Sequence, residues 1–263
     1  MKKQTMARNK LSASQLGRQR MLSRVGEPMF YADWDRALFI HYEVDVAALQ
    51  RWVPYPLDLY EGRAFVSLVA FTMQGMRPRV GGVVGDKLFA PIGSHSFLNV
   101  RTYVKNGEEK GIYFIREWLP NRLAVCVGPA VFGLPYCYGQ LDYDHDHEQG
   151  RLQGQVNDGV GRLIYQVKLN GQKYAATKEG GLRDFLLERY TAFTSGFAMR
   201  RFFRVWHEPW QQVEVEVDIS ENTLLQRAPG GEQWAVNARL IGGNYTPGAK
   251  EVWMGRPHFV GND

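Results

Sequence analysis

FLNVRTYVKNGEEKGIYFIR, residues 97–116, carries the reading that decides the fold. Phe97 to Lys105 alternates in the manner of a strand, Gly111 to Arg116 reads as its return strand, and Asn106-Gly107 between them is the strongest short-range hairpin signal in the chain. Alternation places Asn99, Arg101 and Tyr103 on one face and Val100 and Val104 on the other. Upstream, ALFIHYEV (37–44) predicts a buried strand, and Asp45 an N-cap for a short helix over 46–52 that Pro54 and Pro56 stop. Leu57 to Tyr60 and Ala64 to Met73 read as strands about Glu61-Gly62-Arg63, and the Gly- and Pro-rich residues 75–93 as the longest loop.

Downstream, a short helix is expected within 121–131 and a strand over 136–143. Further strands are expected over 151–157, 163–169 and 172–177, the last two joined by Asn170-Gly171, then a helix over 180–188. Strands over 189–194, 199–206, 213–219, 234–240 and 252–259 complete the pattern. So many short strands with so few helices exclude a sheet of parallel βαβ units. The expected fold is α+β and mainly antiparallel β, a curled sheet or cone-shaped barrel with a few short peripheral helices. The interior of such a barrel is a common place for a ligand.

The chain has 263 residues, 44% of them hydrophobic, enough for one large core. No apolar run is long enough to span a bilayer as a helix, and the N-terminus lacks the apolar segment of a secretory signal. Cys126 and Cys137 are the only cysteines, too few for a disulfide framework and wrongly spaced for zinc, so a cytoplasmic address is expected. The net charge is +5, but residues 1–26 hold seven basic residues (Lys2, Lys3, Arg8, Lys10, Arg18, Arg20 and Arg24) and no acid, which leaves the remainder near −2. The expected organisation is therefore a basic arm over 1–26 and one β-rich domain over 27–263. The arm reads either as a solvated lead-in, with a short helix after Ser12 or Ser14, or as a contact for nucleic acid or an acidic partner.

A set of phrases recurs in order: HYEVDVAALQRWVP (41–54), FTMQGMRPR (71–79), SFLNVRTYV (96–104), GIYF (111–114), FGLPYCYGQL (132–141), LLERYTAF (186–193) and HEPW (207–210). Together they resemble the YqjF-like family of uncharacterised bacterial proteins, within the acetoacetate decarboxylase-like superfamily. The resemblance runs from about Tyr31 to Val260 and implies a curled sheet or cone-shaped barrel. Acetoacetate decarboxylases have a lysine after the proline of a G-x-P-K-K phrase, and it forms a Schiff base with the substrate ketone. Here Gly133, Leu134 and Pro135 match that phrase while Tyr136 and Cys137 replace the lysines. An acidic residue of the decarboxylases falls near Phe97. A phenol forms no imine, so the resemblance implies a similar pocket without decarboxylase chemistry.

The pocket that this implies binds a small carboxylate- or carbonyl-bearing ligand. Arg101 would take its charge through the guanidinium fork and Tyr136 its oxygen, with Asn99, Tyr103, Tyr138 and Arg189 as further ligand contacts. A catalytic reading rests on Tyr136 and Arg101 as an acid–base pair, the cation lowering the phenol pKa. The competing readings are structural: Arg101 in a surface pair or paired internally with Glu117 or Glu188, a satisfied core Tyr136, and a Glu188–Arg189 pair closing the barrel. DYDHDHE (142–148) places His145 and His147 two apart but reads as an exposed hairpin tip, so no metal is assigned. GGVVG (81–85) lacks the context of a phosphate or dinucleotide loop, and no cofactor is assigned. Cys137 reads as an inert core thiol. A homo-oligomer is compatible with the sequence.

Overall fold

The computed structural model describes residues 11–261. Its strands are β1 (Phe30–Val44), β2 (Ala64–Pro78), β3 (His95–Asn106), β4 (Glu109–Leu119), β5 (Tyr136–Tyr138), β6 (Gln140–Asp146), β7 (Arg151–Asn157), β8 (Arg162–Lys168), β9 (Thr191–Thr194), β10 (Arg201–Trp206), β11 (Val213–Val215), β12 (Val217–Asn222), β13 (Arg239–Met254) and β14 (His258–Phe259). The helices are α1 (Ala13–Leu22), α2 (Val46–Gln50), α3 (Gly82–Phe89), α4 (Arg122–Phe132), α5 (Leu182–Leu187), α6 (Leu224–Arg227) and α7 (Gly231–Trp234).

Ten strands make one sheet in the order β11-β13-β1-β2-β3-β4-β9-β10-β14, with β5 beside β4. Its pairings are antiparallel except those of β4 with β5 and with β9. The sheet curls until β10 meets the far end of β13, where only Val205↔Met254 and Trp206↔Trp253 pair. It is thus a curled sheet whose ends touch, without the full seam of a closed barrel. A second sheet, in the order β12-β8-β7-β6, covers one face.

Period-two alternation sorts the long strands between two environments. Leu38 and Ile40 of β1, Val66 and Leu68 of β2, and Leu98 and Val100 of β3 share a core with Leu152, Val156 and Leu163 of the second sheet. Each such side chain contributes roughly 1.5–3 kcal/mol through burial. Phe39, Val69, Phe71 and Phe97 point to the opposite, concave face. Asp45 caps α2 as expected, accepting the Ala48 amide at 2.7 Å. The β3–β4 hairpin turns where expected, with Gly107 at φ 56°.

Several local expectations are corrected. Residues 75–93 are no plain loop: β2 runs on to Pro78, and α3 and a 3-10 turn (Ala90–Ile92) follow, with Gly81 at φ 117° and Gly82 at φ 49° steering the chain into the helix. Leu57 to Tyr60 makes only isolated bridges, with Pro56 removing a donor from its edge. Residues 172–177 form a single bridge, Ala175 to Gln212. Residue 234 ends a helix and does not start a strand, because left-handed Gly230 turns the chain into α7 and buries the Trp234 ring.

From Leu11 onward the basic segment is ordered against the domain, while Lys2, Lys3, Arg8 and Lys10 lie outside the described residues. Ser12 and Gln15 form a capping box for α1. Met21 is fully buried, Trp206 Nε1 donates to Ser14 Oγ at 3.1 Å, and Arg18 stacks over the Trp206 and Trp253 rings. No helix among the described residues is long and apolar enough to cross a membrane.

Candidate functional site

The concave face encloses a cavity of about 290 Å³. Its floor is the inward row of β1, β2 and β3, its roof is α4, and one wall is formed by His207 and Trp210. Phe71 and Phe97 stack at 5.3 Å along the floor. Gly128 of α4 leaves room for the Tyr136 ring, since a Cβ there would fall 2.3 Å from Tyr136 Cε2.

Polar side chains enter this apolar space from adjacent strands. Arg101 is 7% exposed; its Nη2 donates to the Leu186 carbonyl at 3.1 Å, and its guanidinium lies 5.2 Å from the centre of the Phe39 ring. Its Nε has no partner, and neither Glu117 nor Glu188 pairs with it. Burial weakens its hold on its proton, yet a guanidinium stays charged. Asn99 faces Glu117 across the β3–β4 ladder, and Glu117 faces Tyr136 across the parallel β4–β5 pairing. Glu117 is 4% exposed with Oε1 unpartnered, and burial raises its carboxyl well above the usual range, which favours the protonated form. Burial and then the adjacent Glu117 raise the Tyr136 phenol as well. This corrects the expectation that Arg101 lowers it: loss of solvent and the neighbouring carboxyl both act upward.

Two further groups join them. Trp34 Nε1 and both ring nitrogens of His95 have no partner, and burial lowers His95 to about 4, leaving a neutral imidazole. In all, six unpartnered buried polar atoms among the described residues belong to five side chains lining this cavity: Trp34, His95, Asn99, Arg101 and Glu117. Most buried polar groups in native proteins are satisfied, so such a convergence marks a place for a polar ligand.

Of the residues expected at the site, Asn99, Arg101, Tyr136 and Arg189 line the cavity. Tyr103 shares their face but lies beyond the cavity, its hydroxyl donating to the Leu186 carbonyl at 2.9 Å. Tyr138 is 39% exposed beneath the Arg122 guanidinium, because β5 ends there and leaves the cavity behind. Arg189 has largely committed its donors, Nη1 to Asp58 at 2.7 Å and Nε to the Phe185 carbonyl at 2.7 Å. The expected Glu188–Arg189 pair is replaced by that Asp58 contact, while Glu188 accepts from the Tyr190 hydroxyl and the Trp210 amide. Cys137 lies 2.8 Å from Arg116 Nη1. His145 is buried in no hairpin tip, its ring nitrogens engaged by the Arg36 carbonyl and the Tyr165 hydroxyl. No lysine is among the cavity-lining residues described.

Glu117 escapes a reading by alternation because of a β-bulge. The ladder pairs Val100 with Arg116 and then Arg101 with Phe114, so one residue of β4 is skipped. Ile112 and Phe114 line the cavity; simple alternation would bring in Arg116 next, but the bulge brings in Glu117. His95 lies on the same alternating row as Asn99 and Arg101 but outside the strand read from Phe97, and HEPW (207–210) and Trp34 give no local sign that their rings face the cavity.

Residues 31–239 match the family DUF2071, described as an uncharacterized conserved protein. The chain is 30% identical over 195 residues to the uncharacterized protein YqjF of Bacillus subtilis, covering 73% of this chain and 78% of that one. Among solved structures, it is similar to an acetoacetate decarboxylase-like enzyme from Sphingomonas wittichii, with TM-score 0.62 and 14% identity over 90% of this chain and 95% of the other. It is also similar to the acetoacetate decarboxylase of Legionella pneumophila, with TM-score 0.61 and 12% identity over 89% and 87%. At these identities the likeness establishes the fold.

Proposed function

Since this chain belongs to the family DUF2071 and has the acetoacetate decarboxylase-like fold, we propose that its cavity binds a small ligand with a carboxylate or carbonyl head and an apolar body, and does so without imine chemistry. The observation that carries this reading is Arg101, a buried cation that no carboxylate among the described residues pairs and whose Nε has no partner there. An uncompensated buried charge costs several kcal/mol, and a ligand carboxylate offsets that in place of a protein one. Asn99, Glu117 and the Tyr136 hydroxyl then hold the remaining oxygen, with aromatic rings around the body. The absence of lysine among the described lining residues supports binding without a Schiff base. Tyr136 serves as a hydrogen-bond donor in this reading, since its raised phenol does not ionise near neutral pH.

Trp34 and Trp210 line the cavity and report on its contents. Their fluorescence is to be titrated with pyruvate, acetoacetate and apolar carboxylates, in the wild type and in Arg101→Met and Tyr136→Phe. Saturable binding that weakens at least tenfold in Arg101→Met, with no adduct mass after borohydride treatment in acetoacetate, is the expected result. A stable borohydride adduct, or affinities that both substitutions leave unchanged, would overturn the proposal.

A further inference from the structure

We infer, building on that reading, that the ligand is an elongated amphiphile of the straight-chain aliphatic monocarboxylate class, seated head-inward at Arg101 with its tail running along β3 to a mouth between α3 and α4. The polar and exposed ends of the cavity lie at opposite ends of one strand. Arg101, Asn99, Phe97 and His95 follow each other along the inward row of β3, a span of six residues or roughly 20 Å. Arg101 and Asn99 are 7% and 6% exposed, which makes theirs the closed end. Away from them the lining residues Met76, Phe89, Ile92 and His95 are half-buried, and Val127 and Val131 in the α4 roof are 39% and 41% exposed, so the cavity opens on the side of α3 and α4.

The wall between these ends suits a chain. The charge-bearing and hydrogen-bonding groups Arg101, Asn99, Glu117 and Tyr136 gather at the closed end, and the Phe71–Phe97 stack follows them. Met73 and Met76, flexible and polarizable, come next. His95 is neutral and packs on Phe97 at 4.5 Å, so it presents no charge to a passing tail, and its two unpartnered nitrogens are left to water entering at the mouth. Beyond the mouth the apolar track continues on the outside: Val80, Val83, Val84 and Leu88 in and beside α3 are 70–78% exposed. Phe89, at the end of that helix, lines the cavity and packs on Phe30 at 5.1 Å. A short oxo acid would use the head groups and leave this whole outer track without a function.

The test is a fluorescence titration with acetate, butyrate, hexanoate, octanoate and decanoate at submicellar concentrations, beside pyruvate and decanol. At about 0.8 kcal/mol per buried methylene and 1.4 kcal/mol per decade, affinity should rise about fourfold per methylene until the tail emerges. Arg101→Met and decanol should each lose at least tenfold against wild type with decanoate. Val127→Trp, placed at a half-exposed position of the mouth so that folding is spared, should weaken decanoate at least fivefold and leave butyrate unchanged. Affinity independent of chain length, with pyruvate the tightest ligand and Arg101 still required, would overturn the tail while leaving the head site standing. Long acids that bind equally well to Arg101→Met would overturn the head-inward orientation. If no carboxylate binds in an Arg101-dependent way, the proposed function fails with it.

Discussion

Replacing Arg101 by methionine should make the ligand-free protein more stable, not less. The guanidinium is 7% exposed and has no counter-ion among the described residues, so the folded protein carries a desolvation penalty of several kcal/mol. Against this stand one charge-assisted hydrogen bond to the Leu186 carbonyl, worth about 1.5–3 kcal/mol, and a contact with the Phe39 ring worth about 0.5–2 kcal/mol. Methionine keeps much of the second through its sulfur. The first is lost at little further expense, because the Leu186 carbonyl still accepts from the Tyr103 hydroxyl at 2.9 Å. The balance predicts a gain of about 1–2 kcal/mol, or roughly 2–8 °C in Tm for a chain of this size. Urea denaturation of both proteins without ligand measures it, and repeating the scan with a saturating carboxylate should stabilise only the wild type. A loss of more than about 2 kcal/mol in the ligand-free variant would refute the reasoning. Arg101 would then be a clamp on the α5 carbonyl and not a cation held in wait for an anion.

Gly128→Ala should destabilise by about 1 kcal/mol and weaken ligand binding, because overpacking against the Tyr136 ring costs roughly 1–3 kcal/mol and exceeds the helix-propensity gain of about 1 kcal/mol; stabilisation with binding intact, read by denaturation and fluorescence titration, would show that the ring is free to yield. Stability should also fall as pH drops from about 6.5 to 4.5. Burial lowers His41 to about 3 and His95, His145 and His207 to about 4, so the unfolded chain takes up these protons first; Glu117, raised well above 4.5, and Glu188, raised to about 7, hold protons in the folded state and act in the opposite sense. Four against two favours proton uptake on unfolding at about pH 5, each net proton contributing about 1.4 kcal/mol per pH unit. Urea midpoints that are flat across pH 5–6.5 would contradict that arrangement of buried groups.

The inward row of β3 was legible from the chain alone because alternation is a local rule. Once one side of the strand is apolar at Val100 and Val104, the other must carry Asn99 and Arg101. Glu117 was illegible for the same reason: a single extra residue near Arg116 reverses the rule, and nothing in GIYFIREWL announces it. Tyr136 and Tyr138 also obey alternation, yet only the first lines the cavity, because a face extends further than the hollow it borders. Arg189 chose Asp58, 131 residues away, over its neighbour Glu188, a preference that exists only once β9 and the segment before β2 are brought together.

By itself the order of residues determined the antiparallel character of the sheet, the Asn106-Gly107 turn, the cap at Asp45 and the side of β3 on which Arg101 stands. These follow from backbone preferences and from a two-residue period, both of which act within a few positions. The depth of Arg101 and the upward shift of the Glu117 carboxyl were decided by tertiary structure alone. Solvent exclusion and pairing are properties of the assembled strands, and no short stretch of chain contains them.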